Sequence, residues 1–108
     1  MGGSYEGVDV RIIFEDDVLR RLADDPDFNP KQWGRDVIRA YRKKLQLIDA
    51  AQDERDLRAV KSLRLEKLDG DRAGTSSMRL NDQYRLILHF TTDDSGRVAV
   101  LLELVDYH

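Results

Sequence analysis

The chain has 108 residues, of which 41% are hydrophobic and 36% charged, and its formal net charge is −3. This length predicts one domain with a single core, and no apolar run approaches the roughly 18 residues of a membrane span. Cysteine is absent, which excludes disulfides and thiolate metal sites and fits a cytoplasmic location. The two histidines lie 19 residues apart, so we expect neither a metal nor a cofactor.

The N-terminal residues MGGSYEG lack the basic and apolar regions of a secretion signal. MGGS has the composition of a cloning remnant, and we expect residues 1–7 to be flexible and residues 8–108 to form one domain. Residues 31–68 hold 11 basic and 6 acidic groups, a net charge of +5, although the pI is about 5.3. Overall charge therefore does not favour a nucleic-acid-binding protein, but a local basic face could still contact phosphates within roughly 8–10 Å.

The first predicted elements are a strand and a short helix. Residues 8–14 alternate and are rich in β-branched side chains, which predicts a strand. Asp16 or Asp17 is expected to cap the following helix, because a carboxylate there can accept hydrogen bonds from free backbone amides. The predicted inward residues are Val8, Val10, Ile12 and Phe14 of the strand and Val18, Leu19 and Leu22 of the helix.

A longer helix is predicted after the acidic segment that contains Pro26 and Pro30. We expect Asn29 to cap it and the helix to run to about Ala51. A third helical piece over residues 53–62 would turn Leu57 and Val60 inward. The predicted apolar stripe of the long helix is Gly34, Val37, Ile38, Tyr41, Leu45 and Ile48. Its basic residues Arg35, Arg39, Arg42 and Lys43 form either a solvated face or a contact surface for ribosomal RNA.

The last third of the chain predicts an antiparallel meander. Leu63 and Leu65 suggest a short strand or the approach to one, and longer strands are predicted around Met78, over residues 84–90 and over residues 98–108. Strict alternation would place Leu102 and Leu104 with Val98 and Val100, opposite Ala99 and Leu101. The fold class is thus α+β, with an N-terminal strand and helices packed on a mainly antiparallel, twisted sheet.

Three motifs in this third resemble the HigB branch of the RelE/ParE bacterial toxin superfamily. They are Leu-x-Gly-Asp-Arg-x-Gly at residues 68–74, Ser-Met-Arg-Leu-Asn-Asp-Gln-Tyr-Arg-Leu at residues 77–86, and Asp-Tyr-His at residues 106–108. The resemblance implies a RelE-like fold and an endonuclease that cuts mRNA on the translating ribosome. It also implies a cognate antitoxin with a helix-turn-helix domain, through which alone the toxin would reach operator DNA.

The resemblance assigns the site residues. Arg85 would face the scissile phosphate, since its planar, permanently charged fork matches phosphate oxygens. Asp106, Tyr107 and His108 would form a C-terminal catalytic cluster, with His108 transferring protons near neutral pH. Lys67, Arg72 and Arg79 are weaker candidates for RNA contacts.

Two positions depart from the family pattern. Asp69 stands where some members have a lysine, and Glu66 stands where some have a catalytic histidine. Other interpretations therefore stay open, namely a ParE-like gyrase poison and a degenerate toxin that only binds its antitoxin. At single residues, Arg85 could simply pair with Glu103, the Asp-Tyr-His ending could be a frayed terminus, and His89 is expected to be structural.

Overall fold

The computed structural model describes residues 10–106 of the chain. Within this range the elements are β1 (Arg11–Phe14), α1 (Asp17–Asp24), α2 (Arg35–Ala50), α3 (Glu54–Arg58), β2 (Glu66–Lys67), β3 (Ser76–Arg79), β4 (Tyr84–Asp93) and β5 (Gly96–Asp106). Short 3₁₀ turns cover Lys61–Leu63 and Gly70–Arg72. Among these residues, no helix combines the length and apolar character that a bilayer-spanning segment requires.

The strands form one sheet in the order β1-β5-β4-β3-β2. β1 is parallel to β5, while the other neighbours are antiparallel. The predicted α+β class and mainly antiparallel sheet are confirmed. The helices cover one face of the sheet, which we call the helix-covered face. Its core includes Met78, Leu86, Leu88, Ala99 and Leu101 from the strands and Leu22, Tyr41 and Ile48 from the helices.

The predictions for the first strand and α1 are largely confirmed. Val10 is buried and Ile12 and Phe14 pack against the core, while Val8 lies outside the described residues. Asp16 caps α1, and its carboxylate accepts hydrogen bonds from the amides of residues 18 and 19. Leu19 and Leu22 are buried as predicted, but the placement of Val18 in the stripe was wrong, since it is 37% exposed.

The start of α2 differs from the prediction. The helix begins at Arg35 with Gly34 as its cap, five residues later than Pro30, and Gly34 is exposed rather than part of the stripe. Asn29 instead donates to the carbonyl of Pro26 at 3.3 Å. The Arg42 guanidinium binds three carbonyls of the preceding segment and holds it in a non-helical path. The rest of the stripe, Val37, Ile38, Tyr41, Leu45 and Ile48, is buried as predicted.

Leu63 and Leu65 lead into a short strand rather than form one, which is the second of the two alternatives that the sequence left open. Leu63 lies in a 3₁₀ turn, and the two-residue strand β2 follows at Glu66–Lys67. The third helical piece is also shorter than predicted, because α3 ends at Arg58. Leu57 is buried as expected, whereas Val60 is partly buried against the core.

A bulge in β5 breaks the predicted alternation. Ile87 pairs with Glu103, but Leu88 pairs with Leu101, so Leu102 has no partner in the register. An unpaired residue shifts the following side chains to the other face of the sheet. Leu104 therefore shares the helix-covered face with Leu101 rather than with Val100. The bulge thereby sets which β5 side chains accompany Arg85 on the second face of the sheet.

Candidate active site

Arg85 lies on the second face of the sheet, near one end of β4. It is directly opposite Arg79 of β3 and Val105 of β5. Its side chain is only 11% exposed, and its guanidinium donates to the carbonyl oxygen of Arg64 at 2.6 Å. A second guanidinium nitrogen lies 3.3 Å from the carboxylate of Glu66. The sequence alternative of a pair with Glu103 was wrong, because Glu103 instead pairs with Arg72 at 2.9 Å.

Three arginines line a cavity of about 260 Å³ at this end of the sheet, which we call the arginine pocket. Like charges directly opposite each other on neighbouring strands destabilise a sheet, and Arg79 and Arg85 are such a pair. An anion between them would offset this repulsion. The lining residues are Arg64, Arg79, Arg85, Asn81 and Asp82.

Arg64 enters the pocket from an unusual backbone conformation. Its φ of 46° and ψ of 52° place it in the left-handed region, which residues other than glycine rarely adopt. The hydrogen bond from Arg85 to its carbonyl fixes this conformation. Such local strain is typical of functional sites, where the surrounding structure compensates for it.

The Asn-Asp-Gln segment of the sequence motif forms the turn that supports the pocket. The Asn81 side-chain oxygen accepts hydrogen bonds from the amides of Gln83 and Tyr84 at 2.9 and 2.7 Å. Its amide nitrogen donates to Asp36 at 2.8 Å, which connects the turn to the first turn of α2. This hydrogen bond is the main cause that lowers the pKa of Asp36. The turn therefore fixes where β4 begins and where Arg85 emerges.

Arg79 is held beside this turn. Its guanidinium donates to the carbonyl of Asn81 at 3.3 Å and forms an ion pair with Asp82. The Asp82 side chain is 95% exposed, so water competes strongly for this pair. Arg79 can thus turn towards a phosphate in the arginine pocket at little cost.

Asp106 lies at the same end of the sheet but points to the other face. It is directly opposite Tyr84, whose side chain packs against the core, whereas Arg85 pairs with Val105. The side-chain amide nitrogen of Gln83 donates to the Asp106 carboxylate at 2.9 Å. Tyr107 and His108 lie outside the described residues. The chain reaches the pocket end of the sheet at Asp106, immediately before these two predicted catalytic residues.

The remaining predicted RNA contacts, Lys67 and Arg72, do not line the arginine pocket. Lys67 and Asp69 line a different cavity of about 450 Å³, and Arg72 is engaged by Glu103. Within residues 10–106 no group of three or more potential ligands could hold a metal ion. His89 is partly buried in β4, opposite Val100.

Sequence reasoning missed two residues around Arg85, namely Arg64, which lines the pocket, and Glu66, which pairs with Arg85. Arg64 carries no motif signal, because its position depends on a left-handed backbone that only the structure reveals. Glu66 was noted only as a departure from a histidine position, yet its carboxylate adjoins Arg85. The available signal for Glu66 was the family pattern, because some members have a catalytic histidine, a proton-transfer group, at this position.

Comparison with known proteins identifies the family. A model of the RelE-like toxins of HigB type II toxin–antitoxin systems matches residues 12–108. The chain belongs to the HigB-like toxin family. Toxin HigB-1 of Vibrio cholerae is 44% identical over 54 residues, which span 50% of this chain and 57% of that protein.

Solved structures support the RelE-like fold of this family member. A YoeB/ParE toxin from Agrobacterium tumefaciens aligns with a TM-score of 0.52 at 17% identity, covering 92% of this chain and 100% of that one. The YoeB-YefM complex from Staphylococcus aureus aligns with a TM-score of 0.53 at 20% identity, covering 92% of this chain and 97% of that one. At these identities the likeness concerns the fold.

Proposed function

We propose that this HigB-like protein is a ribosome-dependent mRNA endonuclease that acts in the cytoplasm as the toxin of a type II toxin–antitoxin pair. The observation that carries the proposal is the opposed pair Arg79 and Arg85, which line one pocket together with Arg64. Three arginines around 260 Å³ suit a phosphodiester, whose oxygens accept hydrogen bonds from guanidinium forks.

The proposed reaction needs no metal. The 2′-hydroxyl attacks the adjacent phosphorus, the bond from phosphorus to the 5′-oxygen breaks, and the products end in a 2′,3′-cyclic phosphate and a 5′-hydroxyl. Arg85 and Arg79 would stabilise the extra negative charge on the phosphorane oxygens. A fixed charge in a partly dehydrated site is more effective than the same charge in water, and the Arg85 side chain is 11% exposed.

Two proton transfers complete the reaction. Glu66 is suited to accept the proton of the 2′-hydroxyl, because its 58% exposed carboxylate adjoins Arg85 and remains accessible to RNA. His108 is the proposed donor to the leaving 5′-oxygen. Tyr107 is proposed to position the RNA, and Asp106, held by Gln83, to fix the direction of the terminal residues.

A cognate helix-turn-helix antitoxin is the proposed partner. The family is defined by type II toxin–antitoxin systems, and a similar S. aureus structure is a YoeB-YefM toxin–antitoxin complex. Co-expression of the chain with the product of the adjacent gene is expected to yield a stable complex on purification. Recovery of the chain alone would contradict this partner.

Mapping of new RNA 5′ ends after induction tests the function. The wild type is expected to create ends inside translated mRNAs, and the Arg85→Ala and His108→Ala variants are expected to create few or none. Growth arrest without new ends, together with stabilised gyrase–DNA cleavage complexes, would replace the nuclease with a ParE-like gyrase poison. Neither arrest nor new ends would leave a protein that only binds its antitoxin.

A further inference from the structure

The guanidinium of Arg85 is held at both of its terminal nitrogens by one short segment of the chain. One nitrogen donates to the carbonyl oxygen of Arg64 at 2.6 Å, and the other lies 3.3 Å from the carboxylate of Glu66. A planar, rigid group that is held at both ends has a fixed direction. Residues 64–66 supply both contacts, although Arg85 belongs to β4, two strands away from β2 in the sheet.

The two contacts differ in their effect on the charge of Arg85. A carboxylate offsets the positive charge that the proposed reaction needs, whereas a carbonyl restrains the guanidinium and leaves its net charge unchanged. The carbonyl contact is also the shorter one, and the Glu66 side chain is 58% exposed, so water weakens the ion pair. Arg79, directly opposite on β3, repels Arg85. The Arg64 carbonyl is therefore the main restraint against this repulsion.

The left-handed backbone of Arg64 directs its carbonyl towards Arg85. Its ψ is 52°, compared with about 135° in a strand and about −42° in a helix, so either common conformation would rotate the carbonyl by roughly 80–95°. Within residues 10–106, Arg64 is the only residue other than glycine with a positive φ. The hydrogen bond to Arg85 therefore depends on a conformation that arginine rarely adopts.

Contacts on both sides of Arg64 hold this conformation independently of Arg85. The backbone amide of Arg64 donates to the carbonyl of Lys61 at 3.1 Å. Leu63, immediately before it, is fully buried, and Leu65, immediately after it, packs against the core. The restraint therefore passes from a packed backbone to the long, rotatable side chain of Arg85.

We propose that Arg64 is a positioning residue for Arg85 and that it acts through its left-handed backbone. Backbone strain of this kind persists where the surrounding packing over-determines it, and it is concentrated at functional sites. The inference rests on the proposed function for the identity of the substrate, because kcat is measured with RNA. The orientation of Arg85 can be measured without RNA.

Two variants separate the backbone of residue 64 from its side chain. Arg64→Gly and Arg64→Val both remove the guanidinium and keep the backbone amide. Glycine accepts the left-handed conformation, whereas a β-branched residue strongly disfavours it. In ¹⁵N NMR spectra of the purified protein, resolved terminal N–H signals report slow rotation of the Arg85 guanidinium. We expect the wild type and Arg64→Gly to show these signals and Arg64→Val to lose them.

Cleavage of ribosome-bound mRNA gives the second readout. We expect Arg64→Val to lower kcat by about 10²-fold, as a small misplacement of a catalytic group does. Arg64→Gly should keep the wild-type kcat and melting temperature and raise only KM, because the pocket loses one cation. The matched control is Arg58→Val, at an exposed arginine that ends α3, which should change neither kcat nor the Arg85 signals.

Equal losses of kcat and of the Arg85 signals in the two variants would overturn the inference, because the side chain would then be the part that matters. A wild type without these signals would also overturn it, as would an Arg64→Val protein with wild-type signals and kcat. If Arg64→Val does not fold, Arg64→Gly decides alone: retained signals and kcat support the backbone role, and their loss refutes it. A wild type that cuts no mRNA would refute the nuclease, and the NMR comparison would still decide this inference.

Discussion

The carboxylate of Glu66 lies 3.3 Å from the guanidinium of Arg85. The two residues come from β2 and β4, the strands on either side of β3, and 19 positions of sequence separate them. The pair sets a proton acceptor beside the cation that would bind the scissile phosphate. Glu66, which stands where some family members have a histidine, thereby has a proposed function of its own.

Replacement of Glu66 by glutamine tests this role. Glu66→Gln keeps the size of the side chain but cannot accept the proton, so we expect cleavage to slow by about 10²- to 10⁴-fold. The matched control is Glu103→Gln, which removes another ion-paired carboxylate from the same sheet face and should cut nearly as fast as the wild type. A Glu66→Gln protein that retains wild-type rates would exclude Glu66 as the base.

Asn81 provides a second test, because one side chain organises the turn beneath the pocket. Asn81→Ala removes two hydrogen bonds to backbone amides and the contact with Asp36. We expect urea titrations to show a free energy of unfolding that is lower by about 1–2 kcal/mol, similar to the loss of a helix-capping side chain. Cleavage should fall further than stability explains, since Arg79 and Arg85 flank this turn.

The pH dependence of the Asn81 variant follows from Asp36. The Asn81 hydrogen bond lowers the pKa of Asp36 in the folded state. The contribution of this hydrogen bond to the free energy of unfolding is therefore present above the ordinary aspartate pKa of about 3.9, and it is lost as the pH falls below that value. The stability difference between wild type and Asn81→Ala should narrow from pH 6 towards pH 3. A difference that widens instead would contradict this linkage.

The sequence predicted the core of the fold well because its periodic signals are local. The α2 stripe from Val37 to Ile48 and the alternation in β4 each depend on neighbours within one element. The start of α2 was not predictable in this way, because Arg42 binds carbonyls 14 to 20 residues away. The β5 bulge at Leu102 likewise depends on register with β4, which no period within β5 reveals.

The candidate site was predictable to a similar degree. The motif at residues 77–86 pointed to Arg79 and Arg85 as candidates. In the structure, the asparagine of this motif stabilises the turn that lies between these two arginines. Arg64 and Glu66 could not be grouped with them from sequence alone. Their approach to Arg85 depends on a left-handed residue and on a two-residue strand, and both arise from tertiary packing.

The buried hydroxyl of Tyr41 should make the stability of the fold depend on pH in the alkaline range. Its hydroxyl donates to the Leu19 carbonyl at 2.8 Å and is fully buried, and this burial raises its pKa above the ordinary value of about 10. The unfolded chain therefore loses this proton first, so stability should fall as the pH rises above about 10. Tyr41→Phe should cost about 1 kcal/mol at neutral pH but show a shallower alkaline loss. Urea titrations between about pH 8 and 11 would measure both, and parallel curves would contradict the assignment.

Arg42 gives the last prediction, because it connects α2 to the loop after α1. Its guanidinium donates to the carbonyls of Leu22, Asp25 and Phe28 at 2.9, 3.1 and 3.0 Å. Arg42→Lys keeps the charge, but an ammonium group lacks the planar fork that reaches several acceptors at once. We expect the free energy of unfolding in urea to fall by about 3 kcal/mol. We also expect faster amide hydrogen exchange in the loop between α1 and α2.

The control for this change is Arg39→Lys, one turn earlier on the exposed side of the same helix. It should alter stability by no more than about 0.5 kcal/mol, as surface substitutions usually do. If Arg42→Lys were equally mild, the three carbonyl contacts would not hold the loop. The late start of α2 would then follow from Pro30 and Gly34 alone, through the restricted backbone of proline and the helix-capping preference of glycine.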